Sequence, residues 1–231
     1  MTYSSPFIRR LADLLPSPGL INPALQSTAF KSACIDKGGE ILGAGPTGRQ
    51  IVTVGQGIAM RYRILPDGSR QVIMFLMPGD LCSPHIYPTM MDHSIAAVTP
   101  VRVDRFDCES LIDLSMTIIG LNQALWTLAE EQNAIMRNHI TSLGRGDTRL
   151  RVAMLLTELA RRLVPTGSPG PILVPITQSL LADAIGVTHI HFNRVVSEFA
   201  RRGVVDTGRG GIQIKDLPRL FSIAEEMMEA A

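Results

Sequence analysis

Thr188, His189, Ile190, Asn193 and Arg194 carry the clearest chemistry in this chain, within the stretch ITQSLLADAIGVTHIHFNRVVS over residues 176–197. At helical spacing they share one face, while Val187, Phe192 and Val195 share the opposite one. A hydroxyl, an imidazole, an apolar chain, an amide and a guanidinium presented together are the groups that read base edges in a DNA major groove. Arginine in particular offers paired N–H donors that match guanine O6 and N7.

Such a face needs a second helix to hold it, and the preceding residues supply one. Thr177 caps a first helix whose Leu181, Ala182 and Ile185 fall on one side. Gly186 then stands where two helices meet at a sharp angle, and glycine tolerates the backbone of a tight turn. Ala182 is small where the second helix must cross closely. The spacing predicts a helix-turn-helix; an ordinary helical hairpin has no need of Gly, Ala and the apolar positions all in register. Beyond it, Gly203-Val204-Val205, the turn TGRGG and Ile212-Gln213-Ile214 read as a two-stranded wing, with Arg209 and Gly210 on its turn. Asp216 is placed to cap a last helix through Glu229. From Ile185 to Lys215 five cations (Arg194, Arg201, Arg202, Arg209, Lys215) face two acids, a local excess that suits phosphate contact although the whole chain is only +1.

Upstream, Leu121, Leu125, Leu128, Gln132, Ile135 and His139 recur at spacings of four and three, the seam of a two-stranded coiled coil. A helix over 121–143 is roughly 34 Å long at 1.5 Å per residue. The expectation is a dimerisation helix over 121–144 facing a second copy; the alternative is a helix docked on its own chain. Gly144 and Gly146 then break it as candidate hinges. A further helix, Thr148 to Leu163, carries Leu150, Met154, Leu155, Leu159 and Leu163 on one face and ends in the connector PTGSPGP. Ile172-Leu173-Val174 reads as a short strand.

The first 120 residues have another texture. Short helical pieces broken by Pro16, Pro18 and Pro23 precede a glycine-rich region of alternating apolar residues. Val52 and Val54 alternate with Thr53; Ile58, Met60, Tyr62 and Ile64 alternate with Ala59, Arg61 and Arg63. This predicts half-buried antiparallel strands with turns at Gly55-Gln56-Gly57, Pro66-Asp67-Gly68 and Pro78-Gly79-Asp80. SIAAVTPVRVDRF adds two strands split at Thr99-Pro100. Strands so closely spaced suggest a small barrel or jelly roll. The whole reads as an α+β chain: a jelly-roll sensor domain with N-terminal helices over 1–120, the long helix over 121–144, and a winged helix-turn-helix over 145–231.

Composition narrows the class. Apolar residues make up 45% of the 231, enough to bury real cores. No apolar run reaches the roughly 18 residues of a membrane span, and no export signal opens the chain, so residence in the cytoplasm is expected. Cys34, Cys82 and Cys108 are too scattered for a disulfide framework or a metal site. Nothing supports an enzyme: GAGPTGRQ near Gly43 lacks the Lys-Ser/Thr ending of a phosphate loop.

This order of parts resembles the Crp/Fnr family of bacterial transcription regulators. LLADAIGVTHIHFNRVVSEFARRGVVDTGRGGIQIKDL matches the family's C-terminal domain without a gap, and PDGSRQVIMFLMPGDL is similar to its central hairpin and Gly-Asp turn. The resemblance implies a homodimer that binds a two-fold symmetric site on double-stranded DNA and recruits or blocks RNA polymerase. It implies that Arg194 reads guanine, that Thr188 contacts phosphate, and that Thr177 and Gln178 meet the DNA backbone. The remaining alternative is a ligand-binding and dimerisation module that has lost DNA binding. One departure stands out: many relatives have a glutamate where this chain has Ile190, flanked by His189 and His191. Isoleucine accepts no hydrogen bond and offers only apolar contact, for instance to a thymine methyl.

The same resemblance locates a candidate effector region at Asp80, Cys82, His85, His93 and Ser94. Pro84 stands near the place of the ribose-binding glutamate, and His93-Ser94 where an Arg-Ser pair would hold a cyclic nucleotide's phosphate. A neutral imidazole is a poor substitute for a permanently charged fork, which argues against cyclic AMP. Cys34 alone before Cys82 falls short of an iron–sulfur ligand set. A lone His85 or Cys82 is weak ground for haem. No cofactor is expected; an unidentified small effector, or none, is left.

Overall fold

The structure, a computed structural model, describes residues 5–17, 22–83, 90–164, 170–208 and 210–229. Contacts divide the chain into two units, residues 1–63 with 75–134, and residues 64–74 with 135–231.

In the first unit the chain opens with α1 (Pro6–Asp13) and α2 (Pro23–Gln26). Pro23 was expected to break a helix, yet it starts one, because proline's fixed φ suits a first helical position and Asn22 Oδ1 accepts from the Ala24 and Leu25 amides. Among the described residues nine strands follow: β1 (Lys31–Ile35), β2 (Glu40–Leu42), β3 (Gly45–Pro46), β4 (Gln50–Gln56), β5 (Ala59–Ile64), β6 (Arg70–Leu76), β7 (Met90–Met91), β8 (Ser94–Ala97) and β9 (Val101–Asp107); most of β6 is assigned to the second unit. They assemble in the orders β1-β9-β4, β2-β8-β5-β6 and β3-β7. The β8–β9 split falls at Thr99-Pro100 as the sequence predicts, and Thr99 Oγ1 there accepts from the Ile58 amide at 2.9 Å. Gly68 takes φ +80° in the Pro66-Asp67-Gly68 turn.

Two strand expectations need correction. β4 is not half-buried: Ile51, Val52, Thr53 and Val54 are all buried, because α1 packs on this strand. Around β5 the expected alternation holds only in part: Ile58 and Met60 are buried and Arg63 is exposed as expected, but Ala59 and Arg61 are buried too, and Ile64 is 61% exposed. Arg61 turns inward because its Nη2 donates to the Leu81 and Cys82 carbonyls, both at 3.4 Å.

After β9 come α3 (Cys108–Thr117) and the long α4 (Leu121–Arg145). The first half of α4 closes the core of this unit. Leu121, Ala124 and Leu128 join Phe7, Ile8, Leu11, Ile51 and Phe106 in one buried cluster, with Leu125 packed against it. Phe106 stands 5.3 Å from Phe7 and 5.2 Å from Phe30 between ring centroids. The expected coiled-coil seam is therefore corrected: Leu121, Leu128 and Gln132 are covered by their own chain. Gln132 shows why a polar residue is tolerated there, since its Nε2 donates to the Leu81 carbonyl at 3.1 Å. The exposed stripe of α4 lies one residue further on, at Asn122, Trp126 and Ile140, with Ala129, Asn133 and Met136 half-buried between them.

In the second unit α4 runs through Gly144, so the helix breaks only at Gly146. Asp147 caps α5 (Thr148–Leu163) through the Leu150 amide at 2.9 Å. Burial on α5 is broader than one stripe, adding Val152, Ala153, Leu156 and Ala160. Then follow β10 (Ile172–Val174), α6 (Gln178–Ile185), α7 (His189–Arg201), β11 (Val205–Gly208), β12 (Gly211–Ile214) and α8 (Leu217–Glu229). The strands pair antiparallel in the order β10-β12-β11, and α5 packs on α6, α7 and α8. Asp216 caps α8 through the Arg219 amide at 2.9 Å.

Candidate nucleic-acid interface

Local rules form the two helices as the sequence predicts. Thr177 Oγ1 accepts from the Leu180 amide at 3.4 Å, and Thr188 Oγ1 from the His191 amide at 3.2 Å. Both hydroxyls thus satisfy helix N-termini, where unpaired amides also favour phosphate. Gly186 takes φ +66° and ψ +39° at the end of α6. A Cβ there would meet nothing within 4 Å, so the backbone conformation alone selects glycine.

The inner faces lock together through Leu181, Ala182, Ile185, Phe192, Val195, Val196 and Phe199, all buried. What is left outside is the expected set: Thr188, His189, Ile190, His191, Asn193 and Arg194 are exposed, Ile190 at 74%. Asn193 Nδ2 donates to Gln178 Oε1 at 2.8 Å, tying the start of α6 to the exposed face of α7. Gly210, with φ +110°, lies on the wing turn, while Arg209 falls outside the described residues. Across the wing Lys215 Nζ pairs with Asp206 at 2.8 Å.

Two features of this surface were not read from the sequence. One is an ion-pair group behind Arg194: Glu198 Oε2 takes Arg149 Nε at 3.0 Å and Oε1 takes Arg202 Nη2 at 2.8 Å. The Glu198-Arg202 spacing of four was the available signal. The other is a set of donors on the last carbonyls of α6. Gln71 Nε2 donates to the Asp183 and Ala184 carbonyls at 2.9 and 3.1 Å, and His139 Nε2 meets the Ala184 carbonyl at 2.9 Å. Burial lowers the His139 pKa, so the ring favours its neutral form and donates through Nε2.

Of the candidate effector residues, Asp80, His93 and Ser94 make side-chain bonds within the chain. Asp80 is buried, accepting from Arg10 Nη1 at 2.7 Å and from the Met77 amide at 2.8 Å. Cys82 is fully buried, and burial pushes its thiol up to about 12. His93 Nδ1 meets Asp92 at 2.8 Å, and Ser94 Oγ accepts from the Ala44 amide at 3.0 Å. His85 and Pro84 lie outside the described residues. Among the described residues no His/Cys/Asp/Glu group gathers for a metal, and no helix is long and apolar enough to cross a membrane.

A two-helix reading head on a three-stranded wing, preceded by a strand-rich unit and a long helix, defines a DNA-binding transcription regulator. The comparisons agree. Residues 150–223 match the model of the Crp-like helix-turn-helix domain. The nitrogen fixation regulation protein FixK of Bradyrhizobium diazoefficiens is 26% identical over 172 residues, 73% of this chain and 71% of its own length. The transcriptional activator FnrL of Cereibacter sphaeroides is 27% identical over 180 residues, 75% of this chain and 72% of its own. The solved structure of FixK2 from Bradyrhizobium japonicum superimposes with a TM-score of 0.75 at 24% identity, covering 84% of this chain and 97% of that one. A CRP/FNR-family regulator of Thermus thermophilus gives a TM-score of 0.69 at 22% identity, over 85% of this chain and all of its own. Residues 150–223 thus carry a Crp-like helix-turn-helix domain, and the chain is similar along most of its length to Crp/Fnr-family regulators.

Proposed function

We propose that the protein acts as a homodimer on a two-fold symmetric DNA site, with α7 of each copy in a major groove. In this reading Arg194 donates to guanine O6 and N7, and Ile190 makes apolar contact beside it, with His189 and His191 at its flanks. Thr177, Gln178, Thr188 and the wing turn at Arg209 and Gly210 meet phosphates, fixing register rather than sequence. The supporting observation is the exposed face of α7, on which Arg194 has no acidic partner among the described residues.

The face of α4 that meets the second copy is the stripe through Asn122, Trp126, Ala129, Asn133, Met136 and Ile140, whose large members are open in the single chain. It keeps the heptad spacing of a coiled coil. The division of labour is a sensor domain over 1–120, the dimerisation helix over 121–144 and the DNA-binding domain over 145–231. A small effector acting on the first of these, and contact with RNA polymerase by the bound dimer, complete the regulator; the chain performs no catalysis of its own.

Selection of bound sequences from random duplex DNA, followed by hydroxyl-radical footprinting, tests this. The expected product is an inverted repeat with half-sites one helical turn apart, about 34–36 Å. An unstructured mixture of enriched sequences contradicts it.

A further inference from the structure

Arg194 and Glu198 are four residues apart on α7, so their side chains sit on one face of the helix. An ion pair between them would occupy the guanidinium that has to meet a base. The structure holds Glu198 elsewhere. Its carboxylate, with the side chain 17% exposed, is shared between Arg149 of α5 and Arg202 one turn further along α7. The direction has a local cause: a glutamate N-terminal to its cation at this spacing is better placed against the helix dipole than the reverse. That favours Glu198 with Arg202 over Glu198 with Arg194. Arg149 adds a second cation from another helix and fills the other carboxylate oxygen.

We infer that Arg149, together with Arg202, sequesters Glu198 and thereby keeps Arg194 available for base reading. Arg149 is then a positioning residue for specificity and touches no base itself. The inference rests on the reading of Arg194 as the base-reading side chain. Removing Arg149 frees one carboxylate oxygen of Glu198, and Arg194 lies one turn back on the same helix. The new pair competes with guanine. The loss is confined to the base pair that Arg194 reads, and it disappears when Glu198 can no longer carry charge.

The test is a rescue cycle on full-length protein: parent, Arg149→Ala, Glu198→Gln and the double variant. Each is titrated on the selected site, on the same site with the Arg194 base pair substituted, and on unrelated duplex across a salt series. Arg149→Ala is expected to reduce discrimination at that base pair about two- to fivefold, the scale of an exposed ion pair. The double variant is expected to recover it. Loss that is equal on all three DNAs, with a shallower salt slope, would make Arg149 a phosphate contact and overturn the inference. Loss that persists in the double variant overturns it too. A second readout needs no DNA: Arg194 Nε–Hε relaxation becomes more restricted in Arg149→Ala than in the parent, and unchanged mobility contradicts the inference. Arg194→Ala, titrated in parallel, separates the two levels. If it keeps full discrimination, the base-reading role fails; if it loses discrimination at one base pair while the cycle shows no rescue, only the positioning role fails.

Discussion

Arg70 grips Asp183 with two nitrogens on one carboxylate oxygen, Nη2 at 2.8 Å and Nε at 3.2 Å. The pair joins the start of β6 to the last turn of α6, across 113 residues of sequence. Beside it, Gln71, His139 and Arg151 donate to the carbonyls of Asp183, Ala184 and Ile185. The end of the first reading-head helix, where carbonyls lack helical partners, is thus satisfied by side chains from three other segments.

Gln71→Ala is expected to leave the Asp183 carbonyl without its side-chain donor, while the Ala184 carbonyl keeps His139. The cost is about 1–2 kcal/mol, since a part-buried acceptor left unpaired loses more than a typical net hydrogen bond contributes. Urea unfolding measures the loss, and hydrogen exchange should quicken first in α6. Unchanged exchange there contradicts the clamp.

His139 predicts a pH dependence. Its folded-state pKa lies below the ordinary imidazole value, by burial first, with the Ala184 carbonyl bond opposing. Above about pH 6.5 the ring is neutral in both folded and unfolded chains and contributes no slope. Below that, the unfolded chain takes up the proton and the folded one resists it, so stability falls as pH drops, levelling off below the folded pKa. Urea midpoints between pH 5 and 7.5 should slope less in His139→Gln than in the parent. Equal slopes would mean that the ring titrates freely in the fold.

The proposed one-residue shift of the α4 seam separates two variants. Trp126 is 70% exposed, so Trp126→Glu should leave the monomer fold intact and dissociate the dimer in sedimentation. Leu128 is 3% exposed, so Leu128→Ala should cost about 2–5 kcal/mol of stability with the monomer–dimer balance little changed. The reverse pattern would restore the seam expected from sequence.

That shift shows where the sequence was legible and where it was not. The reading head was legible because its signals are local: Thr177 and Thr188 as caps, Gly186 as a left-handed turn, Phe192 and Val195 at helical spacing. α4 carries two apolar stripes side by side, Leu121-Leu125-Leu128 and Trp126-Met136-Ile140, and both fit a heptad. Only the packing of Phe7, Leu11 and Phe106 decides which faces inward. Arg61 was misread for a similar reason: alternation sets the face of a strand residue, but the acceptors that draw it inward lie 20 and 21 residues away. The bonds of Asp80 with Arg10 and of Ser94 with the Ala44 amide were not legible either, because each joins residues 50 or more positions apart in the chain.

Thiol reactivity follows from burial. Cys34 is exposed, whereas Cys82 and Cys108 are buried and their thiols are shifted upward, that of Cys82 to about 12. A disulfide exchange reagent at pH 8 should modify one thiol rapidly, and Cys34→Ser should abolish that phase. A fast phase that survives Cys34→Ser would place a reactive thiolate in the first unit.

The central claim, that the exposed face of α7 reads bases with Arg194 as its polar reader and Ile190 as its apolar one, has a direct test. Parent, Arg194→Ala and Ile190→Glu are titrated against a panel carrying every single-base-pair substitution of the selected half-site. Arg194→Ala should lose about 1–3 kcal/mol of discrimination at one base pair and keep the rest. Ile190→Glu should gain a preference for cytosine at its own position, because a carboxylate accepts from cytosine N4. Uniform weakening by Arg194→Ala across the panel, with no change of preference in Ile190→Glu, would contradict it.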